Sequence, residues 1–166
     1  MTKKYVKHMK RNTVIEFADV MNKYNEINKL TLKNDWFALI IIYATIEMTL
    51  DVYLKAKCKY GSNFIKPNIP IISKAALLRE LNVIDDKMYG YISIVKELRN
   101  KFAHSLTIGD EWSKKLIFDK SDSYYEQYLK EKKHKPEELR YRLSYVLYRL
   151  LITGTDSISE VIEIKE

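Results

Sequence analysis

Leu98-Arg99-Asn100-Lys101-Phe102-Ala103-His104-Ser105 closes a stretch, beginning near Asp86, in which Met88, Tyr91, Ile92, Val95, Leu98 and Phe102 recur at steps of three and four residues. That spacing is the pattern of a helix with one buried face. At roughly 100° per residue, Arg99 falls inside the apolar stripe, one turn after Val95, while Asn100 and His104 lie one turn apart on a neighbouring face. An arginine so placed is expected to be buried or half-buried. A guanidinium keeps its charge and is costly to desolvate alone, so it needs an acid or a bound anion beside it. Glu47, which interrupts an otherwise apolar helix, is the acid the sequence offers.

The rest of the chain reads as scaffold. Its 166 residues, 46% of them apolar, fit one domain spanning 1–166, and only four glycines and three prolines break it, which argues for an all-α protein. A first amphipathic helix is expected from about Thr13 to Leu30, with Val14, Phe17, Ala18, Met21, Tyr24 and Ile27 on one face. A second should run from Asn34-Asp35 to about Lys59, with Gly61 stopping it. Its middle, Ala38 to Ala44, is apolar on every side, so it is either central or part of an oligomer interface. The apolar run Trp36–Leu50 is shorter than the ~20 residues of a membrane span and contains Glu47, so no membrane segment is expected.

Tyr60 to Ile72 reads as a loop, and Ser73 as the cap of a short helix from Lys74 to Leu81. Asp85-Asp86 supplies the acids favoured at the start of the motif helix, within which Gly90 suggests a close helix approach. Leu106 to Asp122 is left open between an extended segment and a turn of helix. Ser123 to Lys135 suits a short helix. Pro136 opens a last clear one, with Leu139, Leu143, Val146, Leu147, Leu150 and Leu151 as its stripe and Gly154 at its end. Asp156 to Ile164 reads as a short terminal helix. Tyrosines at helical spacing, Tyr124-Tyr125 and Tyr141 to Tyr148, are expected in the core or an interface rather than stacked on bases.

Lysine and arginine outnumber aspartate and glutamate by 29 to 22, a net charge of +7. This permits an anionic partner without requiring one. Basic residues cluster at Lys3–Arg11, read as a flexible N-terminus of about residues 1–11, and again from Lys130 to Arg142. Cys58 has no partner for an internal disulfide and no apolar leader follows Met1, so a cytoplasmic protein is expected. His8, His104 and His134 sit in dissimilar contexts and no glycine-rich nucleotide loop occurs, so neither a metal nor a cofactor is expected.

Arg99, Asn100, His104 and Glu47 together suit metal-independent RNA cleavage. A histidine can move a proton near neutral pH, an arginine can hold a phosphate or stabilise a phosphorane, and an amide can orient either. In that reaction the ribose 2′-hydroxyl attacks the adjacent phosphorus. The same residues also suit a structural role, with Glu47 and Arg99 as an ion pair between two core helices and His104 capping its own helix.

Arg99-Asn100-Lys101-Phe102-Ala103-His104 resembles the arginine, four residues, histidine signature of the HEPN superfamily of all-helical proteins. Leu98 to Ser105 is more closely similar to the most recognisable segment of the mannitol operon repressor family, a HEPN-like group. Asp35–Leu54, Ala75–Asn82 and Pro136–Leu151 resemble further segments of that family in the same order. The resemblance implies a HEPN-like helical bundle, usually dimeric, with two motif helices facing across the interface. In ribonuclease members Arg99 and His104 would be catalytic, supported by Asn100 and Glu47. The implied function is a HEPN-type endoribonuclease or RNA-binding protein of toxin or phage-defence type, whose partners are a second copy, RNA, and an antitoxin or regulatory protein. The alternative is a non-enzymatic transcriptional regulator or interaction module of the mannitol repressor type, with the motif as structural glue. Two residues after the histidine, Leu106 stands where many HEPN toxins carry a tyrosine. No helix-turn-helix is evident, so direct operator reading is not expected.

Overall fold

The computed structural model describes residues 4–8, 11–30, 35–58, 69–105, 116, 118, 122–132 and 139–164. Among them are six helices and one two-stranded sheet: β1 (Lys4–His8), α1 (Arg11–Leu30), α2 (Asp35–Lys57), α3 (Ile71–Glu80), α4 (Asp86–Ser105), α5 (Ser123–Lys132), α6 (Leu139–Ile158) and β2 (Glu160–Ile164). The chain is thus helical, as the scarcity of breakers suggests. Most of the loop expected from Tyr60 to Ile72, most of Leu106–Asp122, and Pro136 lie outside the described residues.

Helix α2 is the centre of the bundle, packed by α1, α3, α4 and α6. Its all-round apolar sequence is the reason: Ala38, Leu39, Ile42, Ile46, Leu50, Val52, Tyr53 and Leu54 are buried on several faces. The helix has 23 residues and is long and apolar enough to cross a bilayer by length and composition, so the length argument made from Trp36–Leu50 does not hold. More than half of that stretch is nonetheless buried within the fold, as in a core helix.

Tyr53 and Gly154 make a close contact between α2 and α6. The Tyr53 hydroxyl donates to the Leu150 carbonyl at 2.8 Å, and a Cβ at position 154 would overlap the ring. Gly154 therefore does not end α6, which continues to Ile158; it admits Tyr53. Gly90 is the opposite case, since nothing lies where its Cβ would be, and the expected close approach is absent there.

Three other expectations change. Pro70, not Ser73, occupies the cap position of α3, and the helix begins at Ile71; Lys74, expected at its start, lies in its first turns and is buried. In α1 the inward face is centred on Val20 and Tyr24, leaving Val14 and Ala18 exposed. The chain ends pair antiparallel, with Val6 opposite Ile162, where a flexible N-terminus and a terminal helix are expected from the sequence.

The stripe of α6 is buried as the spacing predicts. Tyr128, Tyr145 and Tyr148 are buried, and Tyr145 lies edge-on to Phe118, Tyr125 and Tyr128 with ring centroids 4.5–5.5 Å apart. These tyrosines belong to the core.

Candidate functional site around Arg99

The C-terminal half of α4 runs beside the N-terminal half of α2. Trp36 stacks on Phe102 with centroids 4.6 Å apart and ring planes within 9° of parallel. Further along, the Arg99 guanidinium carbon lies 5.6 Å from the centroid of the Tyr43 ring. The bulk of Tyr43 between the two helices gives Arg99 a ring to lie against rather than a pocket to enter.

Arg99 is exposed, which corrects the expectation of burial within the apolar stripe. The stripe ends at Leu98, fully buried, and one residue of helical rotation carries Arg99 to its solvent edge. No carboxylate pairs with Arg99 among the described residues. Its Nη1 donates to the Asn100 side-chain oxygen at 3.4 Å, a long bond. Asn100 is half-buried and His104 exposed, so the polar residues of the motif occupy the solvent side of the last turns of α4. The His104 side chain makes no hydrogen bond or ion pair among the described residues, and the side chain of Ser105 lies outside them.

Glu47 does not meet Arg99. It accepts from Lys74 Nζ at 3.1 Å, and the same ammonium lies 2.8 Å from Asp51. The Lys74 side chain is only 1% exposed, against 36% for Glu47 and 19% for Asp51. A lysine that far from water is held by its two acids. Burial pulls its ammonium down, but the bonds to Asp51 and Glu47 outweigh this and leave it above the ordinary lysine value. Burial likewise lifts the Asp51 carboxyl above its ordinary range, against the pull of Lys74. Sequence reasoning missed Lys74 and Asp51. The missed signal was Asp51 itself, one turn after Glu47 in an apolar helix, which together ask for a cation.

Tyr43 was also missed. Its phenol is held above the usual value by burial and by Glu47, with Arg99 and Lys74 acting the other way. Tyr43, Glu47, Lys74 and Arg99 thus form one electrostatic neighbourhood, with Arg99 on its solvent side.

Beyond this edge, α2 carries partly exposed apolar side chains. Phe37 is 49% and Ile40 50% exposed, and Ala44 is exposed one turn on from Ile40.

A second charged centre lies at the other end of α4. Arg149, buried in α6, donates to both oxygens of Asp85 at 3.0 and 2.8 Å, and its Nε lies 3.2 Å from Asp122. Asp85 also accepts from the Met88 amide at the start of α4, and Asp122 from the Tyr124 amide at the start of α5. One arginine therefore holds two helix caps. Arg149 holds the Asp85 carboxyl below its ordinary range, burial opposes this, and the Met88 amide adds to the lowering.

An apolar groove of about 460 Å³ between α1 and α6, lined by Phe17, Met21, Tyr24 and Leu151 among others, includes none of the motif residues. No cluster of three or more metal-ligating side chains occurs among the described residues. Compared with known proteins, the chain matches no family model, no curated protein and no solved structure.

Proposed function

We propose that this chain is a HEPN-type metal-independent endoribonuclease, with Arg99 and His104 acting at a cleft between two copies. The observation that carries the reading is the state of Arg99: a guanidinium at the protein surface with no acid paired to it among the described residues, on the same helix end as an exposed histidine. A structural ion pair needs the opposite arrangement, with the arginine sealed against Glu47, and Glu47 is engaged by Lys74 instead.

In this reading Arg99 holds the phosphate and takes up charge on its oxygens as the 2′-hydroxyl attacks. His104 moves the proton, either from the attacking hydroxyl or to the leaving 5′-oxygen. Asn100, one turn before His104 on the same face of α4, supplies an amide that can orient the phosphate or the histidine. Glu47 acts one step removed, as a partner of Lys74 beneath Tyr43. The exposed side chains of Ile40 and Ala44, on the same helix as Tyr43, support a second copy of the chain against this face, since exposed apolar side chains favour association. The net charge of +7 suits a polyanionic substrate.

The test is cleavage of a mixed RNA pool in EDTA by the wild type, Arg99→Ala and His104→Ala, each checked for folding and for oligomeric state by light scattering. Loss of cleavage in both folded dimeric variants is the expected result. If the wild type leaves the RNA intact while the variants unfold or dissociate, the motif is structural and the regulator or interaction-module alternative takes its place.

A further inference from the structure

We propose that Tyr43 is a positioning residue for Arg99: its ring face fixes the guanidinium without neutralising it, leaving the N–H donors for a phosphate. This inference rests on the ribonuclease reading and adds to it a residue that the motif does not contain.

Arg99 has a flexible stem and stands at the surface, so its orientation needs a cause. Among the described residues it makes one side-chain hydrogen bond and one ring contact. The first, to the Asn100 side-chain oxygen at 3.4 Å, is too long to hold a side chain firmly. The second is to the Tyr43 ring, with its centroid 5.6 Å from the guanidinium carbon, within cation–π range. A carboxylate in the ring's place would occupy the donors in a bidentate pair and cancel the charge. An aromatic face engages the guanidinium plane and leaves its edge, where the donors point, available.

The groups behind Tyr43 favour this arrangement. Glu47 lies one turn further along α2 and is the acid nearest in sequence to the ring, yet Lys74 holds it at 3.1 Å. Lys74 in turn is pinned by Asp51 at 2.8 Å. Both acids are thus engaged by Lys74, while Arg99 is engaged by the ring. Burial and Glu47 both keep the phenol protonated, so Tyr43 offers Arg99 a neutral ring and not a phenolate.

The test compares Tyr43→Phe, Tyr43→Leu and Arg99→Ala with the wild type in steady-state RNA cleavage, using full-length protein of verified fold. Tyr43→Phe keeps the ring and is expected to cleave within about twofold of the wild type. Tyr43→Leu removes the ring and is expected to lower kcat by roughly 2- to 30-fold, the range of a cation–π contact, with a smaller change in KM because the positive charge remains. If Arg99→Ala is inactive while Tyr43→Leu matches the wild type, the positioning role is overturned and the ribonuclease reading stands. If Arg99→Ala cleaves like the wild type, the ribonuclease reading itself is overturned. Should Tyr43→Leu fail to fold, NMR of the wild type decides: the Arg99 Hδ and Hε protons, assigned through Arg99→Lys, are expected upfield of the other arginines from the ring current. Their absence upfield overturns the proposal.

Discussion

Replacing Lys74 with methionine tests whether the charged centre beneath Tyr43 is built as described. Methionine keeps most of the length and apolar character of the lysine stem while removing the ammonium, so two carboxylates lose their shared cation. The lysine is 1% exposed and sits 2.8 Å from Asp51 and 3.1 Å from Glu47. Breaking a buried pair by deleting one partner costs about 3–5 kcal/mol, and the partial exposure of Glu47 argues for the lower end, about 3 kcal/mol. For a chain of this size that corresponds to a fall of roughly 6–12 °C in Tm. The domain should still fold, since typical stabilities are about 5–15 kcal/mol.

The pH dependence has a definite sign. In the wild type the lysine is raised above its ordinary value, so its contribution is fully present below about pH 10.4 and lost as the pH rises through the folded value. In the variant, Asp51 loses the lowering pull of Lys74 while burial and the neighbouring Glu47 charge remain, so its folded value rises further above the unfolded one. That penalty is present at neutral pH and relieved as the pH falls through the carboxylate range. The difference in Tm, measured by circular dichroism, should therefore be greatest from about pH 6 to 9 and shrink near pH 4.5. Adding Asp51→Asn to Lys74→Met should recover part of the loss at pH 7. A loss under about 2 °C, or one equal at pH 7 and 4.5, would refute the account of this centre.

Two further substitutions test the frame around the site. Arg149→Met should cost about 3–5 kcal/mol in urea denaturation, because Asp85 and Asp122 lose the group that holds both caps; a change under about 1 kcal/mol would remove Arg149 from that role. Gly90→Ala should stabilise by about 0.5–1 kcal/mol, since its Cβ meets nothing, whereas Gly154→Ala should destabilise clearly by meeting the Tyr53 ring. Equal effects at the two glycines would contradict the packing described.

The helices that carry the site are legible in the sequence because their periodicity is long and regular. Helix α2 is all apolar, α4 has six stripe residues in phase, and the α6 stripe from Leu139 to Leu151 is buried as spacing predicts. The partners of buried charges were not legible in the same way. Arg99 and Glu47 looked like each other's counter-charge because each was out of place in its own helix. The pairing depends on α3, whose ten residues are too short for periodicity to show that Lys74 faces inward. The logic applied to Arg99 would have served better at Arg149, which follows Val146 by one turn within a buried stripe and does have its acids. Gly154 has the sequence pattern of a helix stop, since no local pattern contains the Tyr53 ring that it admits. The terminal ribbon joins residues more than 150 apart, a pairing no local pattern contains.

The most direct measurement of the central claim is the chemistry of the cut ends. A mixed RNA pool and its fully 2′-O-methylated counterpart are incubated in EDTA with the wild type, and the products are analysed by mass spectrometry. Cleavage of the unmodified pool alone, leaving 2′,3′-cyclic phosphate ends and 5′-hydroxyls, is the result predicted for attack by the ribose hydroxyl. Cleavage of the methylated pool, products with 5′-phosphates, or the same cyclic ends produced undiminished by Arg99→Ala and His104→Ala would contradict it.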